Sequence, residues 1–321
     1  MVARTPFAAL AALVVFIGSS DAGEWPDKPV RIIYPYAAGS TGDATARLIA
    51  RRLSDEFGQP FIVENRVGAN GIIGTEAVAR SAPDGHTLLW AITPQIAISP
   101  AMTKVPYDPT RDFVPISAVS TNRFALLVNA KVPVKTVPEF IDYVRAQPKG
   151  FTYAEGGVGS LTHLSMVLFL DRAGLKGTNV SYKGTPLALT DVIAGHLPAM
   201  FALFGDAVSQ AESGAIRLLA VSSEKRSAQA PNVPTIAESG FPGFNTTSWW
   251  GLMAPAGTPT HVLEKIALQV RKATRDPKIV EQFNTFGVDP VGNSPAEFSA
   301  MISADIELWA RAVKIAGLQA K

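Results

Sequence analysis

The chain alternates short apolar, β-branched runs with longer segments whose apolar residues recur every three or four positions. KPVRIIYPY, QPFIVENR, HTLLWAI, FALLVNA, FTYAEGG, TNVSYKG, LPAMF and IRLLAVSS have the length and branching of strands. Between them, TARLIARRLSDEFG, GIIGTEAVARS, VPEFIDYVRAQ, LTHLSMVLFLDRAG and PLALTDVIAGH carry helical spacing. In the first of these, Ala46, Ile49, Leu53 and Phe57 share one face, and Gly58 is placed to cap the C-terminus. Two strongly amphipathic segments, TPTHVLEKIALQVRKATRDPKIVEQFNTFG and SPAEFSAMISADIELWARAVKIAG, end the chain as helices. This alternation predicts an α/β architecture with largely parallel sheets.

One apolar run stands outside the pattern. PFAALAALVVFIG follows Arg4 and precedes Ser20-Asp21-Ala22, and it is shorter than the roughly 20 residues of a membrane helix. A basic start, an apolar middle and small residues at the end predict a secretory signal peptide over residues 1–22, cleaved after Ala22. The other reading is an uncleaved anchor or a buried first helix. The remaining chain of about 300 residues exceeds one ordinary core and predicts two domains. It has no Gly/Ser linker, so the two are expected as α/β lobes joined by crossing strands. FVPISAVSTNRFALLV is the expected way out and IRLLAVSS the way back. That assigns residues 23–122 and 222–321 to one lobe and 123–221 to the other.

The absence of cysteine leaves an exported chain without disulfides and excludes thiol nucleophiles and thiolate metal sites. The net charge of +2, with no Lys/Arg stripe, excludes a nucleic-acid binder.

The candidate chemistry lies in two similar turns. PYAAGSTGD hands a strand to a helix near Thr41, and YAEGGVGSLTH does the same before LTHLSMVLFL. The first N–H groups of a helix have no partner within it, and the helix dipole favours a negative charge there. Gly39, Gly157 and Gly159 let an anion approach the backbone, while Ser40, Thr41, Ser160 and Thr162 add hydroxyl donors or cap the helix. Two such turns from different lobes are suited to gripping one carboxylate from both sides; plain, well-capped turns are the alternative for either alone. The YKGTP turn, with Thr185, is a weaker third candidate. Asp43 suits a helix start as a capping carboxylate, and His163 sits in the first turn of its helix as a cap neighbour or a ligand contact. Trp249 and Trp250 are expected in lobe packing rather than as a stacking platform.

Competing motifs are incomplete. Neither turn ends in the Gly-Lys-Ser/Thr of a P-loop, Gly157-Val158-Gly159 followed by Thr162 is only a fragment of a dinucleotide fingerprint, and there is no GxSxG elbow. The four histidines are scattered, without metal-ligand spacing. No nucleophile, base and orienting group come together, so no enzyme, cofactor or metal is expected.

WPDKPVRIIYPYAAGSTGDATARLIARRL resembles the opening of the Bug proteins, the periplasmic receptors of tripartite tricarboxylate transporters. The likeness continues through VENRVGANGIIGTEAVARSAPDGHTLL, YAEGGVGSLTHL, VSYKGTPLALTDVIAGHLPAMF, IRLLAVSSEKRSAQAPNVPTIAESGFPGF and SWWGLMAPAGTP. It implies a two-lobed, type II-like periplasmic binding fold and a cleft ligand whose carboxylate is held through backbone amides, hydroxyls and water. By position, the resemblance implies contacts from Tyr36, Ala38, Gly39, Ser40, Thr41 and Asp43 in the first loop. Gly157, Gly159, Ser160, Thr162 and His163 are implied in the second. Ser40 stands where the family usually has a second glycine, and Glu155 where it has a small polar residue; an acid there repels the ligand unless it points away. Thr93 and the stretch 202–206 lie where the distal end of the ligand is read; Phe201, Phe204 and Asp206 are the candidates for specificity, and the two phenylalanines suit an apolar or aromatic body. The resemblance implies a small carboxylate ligand, membrane permease subunits as partners and a monomer. The alternatives are a receptor that signals to a membrane partner, or an exported α/β hydrolase using Ser160 or Ser40.

Overall fold

The computed structural model describes residues 24–319, so the expected leader and its cleavage site lie outside the described residues. Strands β1 (Val30–Tyr34), β2 (Phe61–Asn65), β3 (Thr87–Ile92) and β4 (Phe113–Asn122) alternate with helices α1 (Thr41–Phe57), α2 (Ile72–Ala79) and α3 (Ser99–Met102). A π-helical turn at Pro94–Ile98 leads into α3. The chain continues through β5 (Phe124–Asn129), α4 (Val137–Arg145), β6 (Phe151–Glu155), α5 (Leu161–Arg172), β7 (Gly177–Ser181) and α6 (Thr185–Ala194). Then come β8 (Ala199–Leu203), α7 (Phe204–Glu212) and β9 (Ile216–Val221). It closes with β10 (Ser248–Pro255), α8 (Thr260–Ala273), α9 (Pro277–Thr285), β11 (Asp289–Pro290) and α10 (Pro295–Ile315).

These strands form two sheets, ordered β11-β4-β10-β3-β1-β2 and β7-β6-β8-β5-β9. Both are mixed and mostly parallel in strand direction, in keeping with the expected architecture. β1, β2 and β3 pair in parallel, as do β6, β7 and β8, but β10 is antiparallel to β3 and β4, and β5 to β8 and β9. The reversed strands have a physical origin. The parallel strands of each lobe end at the gap between the sheets; β5 and β10 enter their sheets from that gap, and therefore run away from it.

Each sheet is covered on both faces. The stripe read from sequence on α1 is buried, with Ala46, Ile49 and Leu53 packing beside Ile32, Val63 and Ile266, and Gly58 closes the helix in the left-handed region. At burial worth roughly 1.5–3 kcal/mol per large apolar side chain, this stripe fixes α1 on its sheet. The amphipathic stretch after Thr260 divides at Asp276-Pro277: the proline cannot continue the hydrogen-bond ladder, and the Asp276 side chain caps α9 by accepting from the Lys278 amide.

The last helix joins the two cores. Phe298 and Ile302 pack under the first sheet, whereas Trp309, Ala312 and Val313 lie in the core of the second. The stretch 222–247, expected with the first lobe, packs instead against the second sheet. Ile236 and Phe244 join that core, and Thr235 bridges to Val221, because the chain folds back along β9 before returning.

Candidate ligand site

The two glycine-rich turns fold into the same device. Ser40 caps α1 by accepting from the Asp43 amide, and Ser160 caps α5 by accepting from the His163 amide. In each, the glycine before the serine adopts positive φ, +84° at Gly39 and +78° at Gly159. That turns its N–H back onto the third helical residue. Gly39 N–H donates to Asp43 Oδ2 at 3.1 Å, and Gly159 N–H donates to His163 Nδ1 at 3.1 Å. The side chain at the third position is thereby a brace for the loop.

Both braces are held from behind. Asp43 also accepts from Arg47 at 2.9 and 3.1 Å and from Asn65 at 2.8 Å. Burial raises its pKa, but these hydrogen bonds outweigh it and hold the carboxyl below its ordinary value. His163 is pushed down by burial, with Glu155 acting in opposition, which suits a neutral ring whose Nδ1 accepts. Glu155, the acid that threatened to repel an anion, is fully buried; it accepts from the Gly157 amide and from Asn179, and so pins the loop from beneath.

With each serine oxygen and third-residue amide thus engaged, the amides of Thr41 and Gly42 on α1, and of Leu161 and Thr162 on α5, have no acceptor among the described residues. Two helix N-termini, one from each sheet, accordingly present free donors to the gap. Two adjoining cavities occupy it. One, of about 420 Å³, is lined by Gly157, Gly159, Ser160, Thr162, Thr185 and Asn70, among others. The other, of about 610 Å³, is lined by Ala38, Gly39, Ser40, Thr41, Trp250 and Asn122, among others. Tyr36, Ile92, Pro94, Phe124, Leu161 and Leu203 border both, so the two form one cleft between the sheets. No Lys, Arg, His, Asp or Glu among the described residues lines either cavity.

Of the residues singled out from sequence, Tyr36, Ala38, Gly39, Ser40, Thr41, Gly157, Gly159, Ser160, Thr162 and Thr185 meet in this cleft. Six do not line it, and their expected contacts are corrected. Asp43 and His163 face inward as loop braces. Thr93 is fully buried, its hydroxyl accepting from the Trp249 amide at 3.0 Å. Phe204 is buried in the core beside β8, and its ring lies 5.5 Å from the Arg123 guanidinium carbon, which pairs with Asp289. Asp206 is exposed on α7 and borders neither cavity. Phe201 likewise sits in the core under the second sheet. β8 is buried on both faces, so Phe201 faces one core while Met200 and Ala202 face the other, which Phe204 joins.

Other lining residues escaped the sequence reading. Ile92, Asn122, Phe124 and Ser248 are strand ends, as is Leu203, which lies in the stretch 202–206 expected to read the distal end; the rule that α/β ligands lie beyond the carboxyl ends of strands identifies Ile92, Asn122 and Leu203. Asn70 adopts the left-handed conformation, with φ at 53°, and its carbonyl accepts from the Tyr36 hydroxyl. The Ala-Asn-Gly turn was its signal. Of the tryptophan pair, Trp249 packs as expected, edge-on to Phe298 at 5.0 Å, whereas Trp250 reaches the cleft.

The serine hydroxyls do not form a hydrolytic pair. Ser160 Oγ meets Thr162 Oγ1 at 3.1 Å while the His163 ring faces Gly159, and Ser40 Oγ meets the Tyr34 hydroxyl at 2.9 Å.

The family described as tripartite tricarboxylate transporter family receptor matches residues 45–318. Protein BugT of Bordetella pertussis is 33% identical over 320 residues, covering 97% of this chain and 98% of BugT. Among solved structures, R. palustris Rpa4515 with adipate superposes with a TM-score of 0.74 at 34% identity, over 92% of this chain and 99% of that one. MatC from Rhodopseudomonas palustris with bound malate gives a TM-score of 0.71 at 29% identity, over 90% and 100%. The chain therefore belongs to the tripartite tricarboxylate transporter receptors, a family of two-lobed periplasmic solute-binding proteins and not of enzymes.

Proposed function

We propose that this receptor captures a small carboxylate in the periplasm and delivers it, as a monomer, to the membrane permease subunits of a tripartite tricarboxylate transporter. The carrying observation is the pair of braced, Ser-capped helix N-termini that face one cleft from separate sheets. Their free amides and dipoles attract an anion without a formally charged partner. A carboxylate touching both ends favours the closed form, because each lobe contributes contacts that the open form lacks. Closure then presents the permease with a surface that exists only when ligand is held. The adipate and malate bound by the two structural relatives are carboxylates, in keeping with this chemistry.

The test is a melting screen of the chain starting after Ala22 against mono-, di- and tricarboxylates, each paired with its amide, followed by calorimetry on the hits. A true ligand at a hundredfold excess over its dissociation constant stabilises the native state by about 2.7 kcal/mol. Acids are expected to shift the melt while their amides do not. Equal shifts from acid and amide, or none from any acid after the protein has been denatured and refolded to strip bound ligand, would refute the reading.

A further inference from the structure

We propose that Asn122 reads an uncharged polar group at the end of the ligand remote from the two helix N-termini. The preferred ligand is then a carboxylate with an apolar body and a neutral hydrogen-bonding terminus, a hydroxyl or a primary amide. This rests on the carboxylate reading above and names what that reading leaves open, the chemistry of the other end.

Asn122 is the last residue of β4, at the point where the chain crosses between lobes, and it lines the larger cavity beside its cross-strand partner Ser248. It is only 8% exposed, and its Oδ1 is enclosed with no hydrogen-bond partner among the described residues. Its Nδ2 likewise donates to no described residue; nearby, Ser120 Oγ, Arg123 Nε and Thr246 Oγ1 are also enclosed without a partner, whereas other groups are supplied. Ser222 Oγ accepts from the Phe124 amide, and Ser248 Oγ points to Thr93 Oγ1 at 3.4 Å. A buried amide oxygen left without a donor is costly, so a turn of the Asn122 amide about its last torsion that brings Oδ1 to the cavity is favoured by a ligand that supplies the donor.

Position separates this amide from the anion clamp. In the first sheet β4 is three steps from β1, across β10 and β3. At the usual strand spacing this places Asn122 about 14 Å from the loop after β1. The intervening wall is apolar, with Ile92, Phe124, Leu161 and Leu203 among its residues. A second carboxylate at the far end meets no lysine, arginine or histidine there among the described residues. It would lose its hydration without a countercharge, whereas a hydroxyl or amide loses little and pairs with the free acceptor. A site built around an unpaired polar group discriminates most strongly against the analogue that lacks the matching group.

The test measures calorimetric affinities of the chain beginning at residue 23 for four six-carbon acids. These are hexanoate, 6-hydroxyhexanoate, the monoamide of adipic acid, and adipate. For the unmodified protein, the hydroxy acid and the monoamide are expected to bind at least about tenfold tighter than hexanoate, and tighter than adipate. In Asn122→Leu and Asn122→Ala, each first checked for an unaltered ligand-free melt, that advantage over hexanoate should vanish. The inference is overturned if the unmodified protein binds hexanoate as well as 6-hydroxyhexanoate, or if the preference survives in the variants. Failure of all four acids, while the broader screen finds another carboxylate, overturns this inference alone. Failure of every carboxylate in both experiments overturns the reading on which it rests.

Discussion

Asp43 and His163 occupy equivalent positions in the two glycine-rich turns, and both reach back to the amide of a positive-φ glycine. The exchange of a carboxylate for an imidazole makes the second loop sensitive to pH in a way that the first is not. Burial lowers the His163 pKa, so the unfolded chain takes up its proton first as pH falls below the ordinary value of 6.5. The stability it contributes is therefore complete above that value and is lost as pH falls through the lowered native value. Protonation of Nδ1 also removes the acceptor for Gly159. We expect His163→Asn to melt lower at pH 8, by about 1 kcal/mol, and to show a shallower decline in melting temperature between pH 6.5 and 5. A decline identical to that of the unmodified protein would show that His163 carries none of it. This brace was only partly legible in the sequence. Capping involves residues three or four apart, so Ser40 and Ser160 were readable, but the inward turn of the third side chain depends on what lies behind it. For Asp43, that is Arg47 and Asn65. Ser248 was not legible as a site residue, since only the pairing of β10 with β4 brings it beside Asn122.

At the scale of elements, periodicity served well wherever a helix or strand buries a continuous stripe, as in α1 and β5. It missed β10, where Trp249-Trp250-Gly251 hides alternation behind two bulky residues. Ordinary alternation, ahead of the register bulge at Trp250/Gly251, keeps Trp249 on the core side and leaves Trp250 at the cleft. The same strand meets α10 through a polar contact: Trp249 Nε1 donates to Asp305 Oδ2 at 2.7 Å. Burial pushes the Asp305 carboxyl up to about 6, against the pull of that hydrogen bond. Its folded value lies above its unfolded value, so its contribution is present below the unfolded pKa and is lost as pH rises through about 6. Asp305→Asn keeps an acceptor for the indole without the buried charge. We expect it to stabilise the protein at pH 8 by about 2 kcal/mol and to do little at pH 4.5, as read from chemical unfolding at the two values. A variant less stable than the unmodified protein at pH 8 would mean that the charge itself holds α10 in place.

In the whole molecule, two sheets share three connections: the β4–β5 crossing at Arg123, the return into β10, and α10 with one end in each core. The cleft walls are therefore the ends of strands that belong to separate units, and a ligand held by both loops couples them. That joint grip is the central claim. Its most direct test removes one amide at a time by placing proline at the first position of each helix, where proline is favoured. Ser40 and Ser160 already have extended ψ, 163° and 159°, as a residue before proline requires. Affinity for the best carboxylate would be measured by calorimetry in Thr41→Pro and Leu161→Pro, with Thr41→Ala and Leu161→Ala as controls for the lost side chains. Both proline variants are expected to melt near their alanine controls and to bind roughly tenfold or more weakly than them, the cost of one charged hydrogen bond. If either proline variant binds like its alanine control, the carboxylate is not held jointly by the two helix ends.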